Sequence, residues 1–302
     1  MLPLKRYFKE PEIMGRSMLK KYGKWLPDEI YVRWMFRLCI GYKLDLNSPK
    51  TFNEKIQWLK LYNRKPEYTK MVDKYAVKKH VASIIGDEYV IPTLGVWDKP
   101  KDIEWEKLPA QFVLKTTHGG GNTGVIICRD KNSFDKEKAI VKLNMSLKQD
   151  IYRTLREWPY KNVTRRIIAE SYMEDKFTGE LRDYKFFCFD GKVKALFIAT
   201  ERGTGNVKFD FFDENFNHLD LVQIHPLSGL PIQKPKCFEK MKEVASQLSK
   251  GLPHVRIDLY EVNGKIYFGE YTFYHHGGVV PFHPERWDEI FGSWINLPPK
   301  ND

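Results

Sequence analysis

The 302-residue chain has only four cysteines, Cys39, Cys128, Cys188 and Cys237, and none shares the spacing of a metal site or redox pair with another. They read as reduced thiols, so the expected location is the cytoplasm. No stretch approaches the roughly 20 uninterrupted apolar residues that a membrane-spanning helix needs. The opening, MLPLKRYFKEPEIMGRS, is charged throughout and lacks an apolar signal core, so export is not expected. Internal repeats and low-complexity linkers are missing, which excludes a solenoid. No basic run reaches five residues, which argues against the clustered track of a nucleic-acid-binding or scaffolding module. A D-x-D pair for a nucleotide-sugar metal is absent as well, so a glycosyltransferase lacks its usual signature.

What is present describes a globular protein. At 42% hydrophobic and 14% aromatic the chain is too apolar for disorder. Its 50 Lys+Arg against 39 Asp+Glu give +11, which favours an anionic partner unless the excess is only a solvated surface. Residues 1 to 50 look helical and basic, with Tyr7, Phe8, Tyr22, Trp25, Tyr31, Trp34 and Phe36 interleaved. Such a segment either rests on anionic lipid or a partner, or forms a collar packed on the main domain. In TFNEKIQWLKLY, Thr51 and Glu54 have the spacing of a capping box. YTKMVDKYAVKKHVASIIG reads as one amphipathic helix ending at Gly86, and SFDKEKAIVKLNMSL as another capped by Ser133. EYVIPTLGVW, QFVLKTT, GVIICRD and RIIAESYM read as strands. Two hairpins are expected late in the chain, turning at Asp190-Gly191 and Asn263-Gly264. The order is mixed α+β.

Between two of those strands lies HGGGNTG. A P-loop needs Lys and Ser/Thr after its last glycine and then a helix, and a dinucleotide fingerprint also runs into a helix. Here β-branched VIIC follows, so the loop joins two antiparallel strands and can fold over a ligand. Backbone N–H groups of Gly119, Gly120, Gly121 and Asn122 would cradle phosphate oxygens, because no Cβ blocks approach. Lys115 on the incoming strand would add a fixed positive charge. His118 is either a further phosphate donor or a loop residue without a role. A plain hairpin loop is the competing reading.

In RIDLYEVNGKIYFGEYTF, Asp258 and Glu270 lie about equally far from the turn on opposite strands, within reach of one shared ion. Arg256 projects from the same face as Asp258. Carboxylates that also meet nucleotide phosphates form a usual Mg²⁺ site. A solvent-facing salt-bridge ladder fits the same spacing.

Taken together, these motifs resemble the ATP-grasp superfamily along most of the chain from about residue 70, and more narrowly its teichuronopeptide-biosynthesis (TupA-like) group from about residue 30. The resemblance implies an α+β ATP-grasp fold, two subdomains clasping ATP, behind a helical amino-terminal segment. The implied boundaries are 1–65 for that segment and 66–302 for the ATP-grasp domain, with a lid at 111–172 and a metal-binding part at 173–302. VDKYAVKKHV and FVLKTTHGGGNTGV imply that Lys74 and Lys115 contact phosphate. IIAESYM implies that Glu170 takes the adenine amino group, with Tyr172 and Met173 offering backbone. DYKFFCFDGKVKALFIATER places Asp183, Lys185 and Arg202 in the D-x-[RK]…R element of the peptide-ligase branch. The late hairpin implies Arg256 for the reacting carbonyl and phosphate, and Asp258 and Glu270 for Mg²⁺. Thr272 stands where many such ligases have asparagine as a third metal contact.

The implied activity is ATP- and Mg²⁺-dependent amide formation through an acyl phosphate, joining an amine or amino acid to a uronic acid or another acidic sugar in bacterial capsule or surface-polysaccharide synthesis. His275, expected with His276 at the cleft mouth, would take the proton from the amine, unless both are merely exposed loop residues. A sugar kinase would carry the same metal and loop residues. The basic amino-terminal helices would permit contact with the inner face of the membrane.

Overall fold

A computed structural model describes residues 11–121, 124–176, 181–201 and 205–300. Among the described residues, five helices come first: α1 (Pro11–Tyr22), α2 (Asp28–Ile40), α3 (Phe52–Tyr62), α4 (Pro66–Val72) and α5 (Ala76–Ile85). The capping box at Thr51 is formed. Its hydroxyl accepts from the Glu54 N–H at 3.2 Å, and the Glu54 carboxylate accepts from the Thr51 N–H at 3.1 Å. The stretch expected as one helix is two, α4 and α5. The Asp73 carboxylate accepts from the N–H groups of Tyr75 and Ala76 at 2.8 and 3.1 Å, which stops one helix and opens the next. Gly86, at φ +109, closes α5 as expected.

The first sheet contains β1 (Thr93–Trp97), β2 (Phe112–Thr116), β3 (Ile126–Cys128) and β4 (Ile167–Ser171), antiparallel in the order β1-β4-β2-β3. It has its own small core, where Phe112, Leu114, Ile167 and Ala169 pack against Leu143 of α6 (Lys136–Leu147). Asp135 caps α6 by accepting from the Lys138 N–H at 2.9 Å, so Ser133 is not the cap. This sheet begins at Thr93, ahead of residue 111, where the expected lid would start. A short helix, α7 (Ile151–Leu155), leads back toward β4.

The second sheet contains β5 (Asp183–Phe189), β6 (Lys192–Thr200), β7 (Lys208–Asp213), β8 (Val255–Val262) and β9 (Lys265–Thr272), antiparallel in the order β7-β6-β5-β8-β9. Both expected turns are present. Asp190-Gly191 and Asn263-Gly264 have positive φ at both residues, the pattern of a type I′ hairpin. β7 was not expected. Helix α8 (Phe238–Ser249) covers one face with Phe238, Met241, Val244, Ala245 and Leu248, all buried. Burying each larger side chain contributes about 1.5–3 kcal/mol as an upper figure.

On the other face of that sheet, Phe187 of β5 packs against Phe52 of α3 and Phe291 of the carboxyl-terminal α9 (Arg286–Ser293), with ring centroids 6.4 and 5.1 Å away. Phe52, Ile56, Trp58 and Leu59 of α3 belong to the main core. Asp288 accepts from the Asn53 backbone N–H at 2.9 Å and side-chain amide at 2.8 Å. Residues 28 to 65 are thus part of the main lobe, and the expected 1–65 boundary does not divide the structure.

Candidate functional site

The β8–β9 hairpin sets the site. A two-residue turn without irregularity would pair Asp258 with Gly269 and turn Glu270 toward the core, because the side-chain period in a strand is two. The observed register shifts between Asp258 and Leu259, so that Leu259 pairs with Phe268 and Asp258 pairs with Glu270. Gly269 is the extra residue of a β-bulge. Past it, Glu270 and Thr272 share a face with Asp258 and Arg256, while Tyr271 turns inward and is buried. Any Cβ at Gly269 would lie 3.0 Å from the Asp258 carbonyl and 3.0 Å from the Tyr260 ring.

Arg256 meets both oxygens of Asp258, its Nε at 2.6 Å and its Nη2 at 2.7 Å. Lys185, opposite Asp258 on β5, donates to the same carboxylate and pairs with the buried Asp183 at 2.7 Å. Burial opposes ionisation of Asp258, but Arg256 and Lys185 hold its carboxyl at about 2. Arg256 Nη2 also donates to the Thr272 hydroxyl at 3.0 Å and lies 3.4 Å from Glu270. Beneath the cations lies Phe197, whose ring centroid is 5.5 Å from the Arg256 guanidinium and 6.0 Å from Lys185.

The facing wall comes from the lid. Lys115 on β2 and Lys78 on α5 pair with Glu170 on β4 at 2.7 and 2.6 Å. Against the cost of burial, these two ammonium groups hold the Glu170 carboxyl at about 2. Lys74, in the break between α4 and α5, donates its N–H to the Thr117 carbonyl at 3.0 Å and its ammonium to the Gly119 carbonyl, and lies 3.9 Å from Glu270. It therefore touches both walls. Val77, Ile91 and Phe268 give the slot between them an apolar lining beside Lys74, Lys115 and Glu170.

The loop joins antiparallel strands β2 and β3, as expected. A Cβ at Gly120 or Gly121 would meet nothing within 4 Å, and Gly121 has φ +56. Asn122 lies outside the described residues, as does Arg202. His118 is buried at the base of the loop, and no described residue hydrogen-bonds either ring nitrogen with good geometry. Tyr172 and Met173 follow β4 directly and are half-buried.

The family model for TupA-like ATPgrasp matches residues 54–296. The chain belongs to the TupA-like ATP-grasp family. Its two antiparallel sheets facing a slot are the ATP-grasp fold. Among solved structures it is similar to D-alanine–D-alanine ligase from Bacillus anthracis at 18% identity, covering 74% of this chain and 60% of that one, with a TM-score of 0.41. The ligase of the same name from Helicobacter pylori gives 13% identity, 82% and 70% coverage and a TM-score of 0.44. PsnB, an ATP-grasp ligase complexed with a variant precursor, Mg and ADP, gives 10% identity, 73% and 57% coverage and a TM-score of 0.39. At these identities the likeness is one of fold. The chain spans about three fifths of the Bacillus anthracis ligase it matches. No curated protein matches.

In this TupA-like ATP-grasp chain, His275 is not at a cleft mouth. It is buried, and both ring nitrogens are engaged: Arg256 Nη1 lies 2.8 Å from Nδ1, and Gln223 Oε1 lies 2.9 Å from Nε2. A guanidinium only donates, so Nδ1 accepts and Nε2 carries the proton that Gln223 receives. Burial, then the neighbouring His276 and Arg256, push its pKa well below the usual histidine range. Both ring nitrogens are thus taken up inside the protein by Arg256 and Gln223. Three other residues escaped the sequence reading. Lys78 lacked any mark that set it apart from Lys79. Gln223 lies 52 residues from His275 in a segment without periodicity. Glu157, pushed up to about 7 by burial against the pull of Lys60, feels Glu270 and Arg256 across the site.

Among the described residues no group of three or more His, Cys, Asp and Glu is arranged to hold a metal. The available donors are two carboxylates and one hydroxyl on a single face. All are hard oxygen ligands, a set that suits Mg²⁺ when phosphates and water complete the shell.

Proposed function

We propose that the chain is an ATP- and Mg²⁺-dependent carboxylate–amine ligase. The observation that carries this reading is the bulged hairpin, which sets Asp258 opposite Glu270 and brings Glu270 to 3.9 Å from Lys74 of the facing wall. ATP would lie between the sheets, its base against Val77, Ile91 and Phe268 near Glu170, Tyr172 and Met173, and its phosphates under the glycine loop. Asp258, Glu270 and Thr272 would hold Mg²⁺, which supplies neutralisation of charge on the phosphoryl oxygens.

The remaining chemistry belongs to the side chains. A carboxylate does not condense with an amine in water, so its oxygen takes the γ-phosphoryl group and ADP leaves. The amine then attacks the acyl phosphate, and phosphate departs as the amide forms. Lys74, Lys115 and Lys185 stabilise the transferring charge. Arg256, held by His275 and by both oxygens of Asp258, faces the tetrahedral oxyanion. Asp183 orients Lys185. Closure of the loop over the slot would keep water from the acyl phosphate. The finer substrate reading is an amine or amino acid joined to an acidic sugar of a bacterial surface polysaccharide, for which the chain's positive charge supplies attraction.

Incubation with ATP, Mg²⁺, uronic acids and a panel of amines, read by mass spectrometry, tests the proposal. One amide should form per ADP released, only when carboxylate and amine are both present. ADP formation driven by a sugar hydroxyl alone would instead make the protein a kinase.

A further inference from the structure

Among the described residues, helices α1 and α2 leave apolar and aromatic side chains exposed. Met14, Met18 and Tyr22 recur every fourth residue along α1, and Ile30 and Trp34 do the same on α2, so each set forms one row. All five are exposed, Tyr22 at 65% and Trp34 at 57%, and Trp25 in the connecting loop is 88% exposed. The opposite side of α2 is already used: Tyr31, Val32, Met35 and Phe36 are buried. The two helices touch closely, since a Cβ on Gly15 would meet Leu38 at 2.9 Å.

The loop that presents Trp25 is anchored. The buried Arg156 donates to the carbonyls of Gly23, Lys24 and Leu26 at 3.0, 3.2 and 3.3 Å and pairs with Asp28 at 3.1 Å. Charge around the face is one-sided. Between Pro11 and Lys43 there are seven basic residues and three acidic ones. Of the acidic ones, Asp28 is engaged by Arg64 and Tyr152, and Glu29 by Arg33 and Tyr62. Lys20, Lys21, Lys24 and Arg37 are exposed.

We propose that this face docks the protein on an anionic lipid surface, with Trp25 and Trp34 seated at the headgroup boundary and the lysines over the anionic headgroups. Tryptophan and tyrosine prefer that boundary, and short basic-aromatic helices lie in it without spanning it. At 12 and 13 residues, α1 and α2 are too short to cross. The attraction is complementary in charge, and each basic side chain near such a surface strengthens binding about fivefold. The inference does not depend on the ligase reading.

The test is co-sedimentation of the full chain with vesicles of equal parts phosphatidylglycerol and phosphatidylcholine, against vesicles of phosphatidylcholine alone. Binding is expected to the anionic vesicles only, with quenching of tryptophan fluorescence by brominated acyl chains. Replacing Lys20, Lys21 and Lys24 with glutamate should weaken binding by about a hundredfold or more. Trp25→Ser with Trp34→Ser should abolish the quenching while circular dichroism and ATP turnover stay unchanged. No sedimentation, equal sedimentation with neutral vesicles, or insensitivity to both variants overturns the proposal. So does a concentration-dependent dimer that Trp25→Ser dissolves without any vesicle binding, which would assign the face to a second copy.

Discussion

Asp258 and Glu270 are paired by register but not equivalent. Asp258 is enclosed, with Arg256 and Lys185 on its oxygens, whereas the Glu270 side chain is 30% exposed and reached by long contacts. Removing the charge from Asp258 strands two buried cations, and breaking such a pair costs about 3–5 kcal/mol. Asp258→Asn should therefore lose both ADP formation and thermal stability. Glu270→Gln should leave the melting temperature nearly unchanged yet raise the Mg²⁺ needed for half-maximal ADP release about tenfold. Wild-type Mg²⁺ dependence in Glu270→Gln would remove Glu270 from the metal site. Both carboxylates were visible in the sequence because distance from the Asn263-Gly264 turn could be counted. The place of His275 was not. Its burial is decided by Arg256 and Gln223, which arrive from two other segments, and local composition carries no trace of either.

The bulge at Gly269 is what sends Glu270 to the same side as Asp258. Counting from the turn gave the correct partner only because the strand holds one extra residue, and only the observed pairing shows which residue that is. Gly269→Val puts methyl groups against the Asp258 carbonyl and the Tyr260 ring. Overpacking of this kind costs about 1–3 kcal/mol. The expected result is a loss of ADP release of about tenfold or more, beyond what the fall in melting temperature explains. Unchanged turnover would show that the bulge does not set the geometry. Elements with local signals were legible: the Thr51 capping box, both Asp/Asn-Gly hairpin turns, and the strands flanking the glycines. The break at Asp73 was hidden because apolar spacing continues across it while a single carboxylate caps the next helix. β7 was missed because Lys208–Asp213 becomes a strand through pairing with β6.

Across the molecule, the depressed pKa values of His254, His275 and His276 make the fold sensitive to acid. Burial holds His254 and His276 at about 3 and His275 well below the usual range, whereas an unfolded histidine titrates near about 6.5. Their folded pKa values are depressed, so unfolding takes up protons below about pH 6.5, and stability falls as pH drops. Asp258 and Glu170, both at about 2, add a further loss below about pH 4. Asp288, raised to about 6, and Glu157, raised to about 7, act in the opposite direction. Histidines with depressed pKa values outnumber the two raised acids, so near pH 5 unfolding takes up protons on balance, each worth about 1.4 kcal/mol per pH unit. Thermal melts should hold steady between pH 7 and 8 and fall steadily below pH 6, on the order of that slope. A melting temperature that stays flat down to pH 5 would contradict the burial of these rings. The two-lobed plan could be expected from the sequence, but its divisions could not. β1 joins the lid through β4, and α3 joins the main core through α9, both by pairings distant along the chain.

That last junction bears on how the protein is made. Asn53 of α3 is held by Asp288, 235 residues later. Gln57 and Lys60 on the same helix hold the carbonyls of Gly277 and Gly278, just beyond the site hairpin. On the ribosome, the early helix must wait for a segment some 235 residues later to emerge before this side of it is covered. Splitting the chain between these two stretches would uncover Phe52 on one fragment and Phe291 on the other, which pack together with ring centroids 6.0 Å apart.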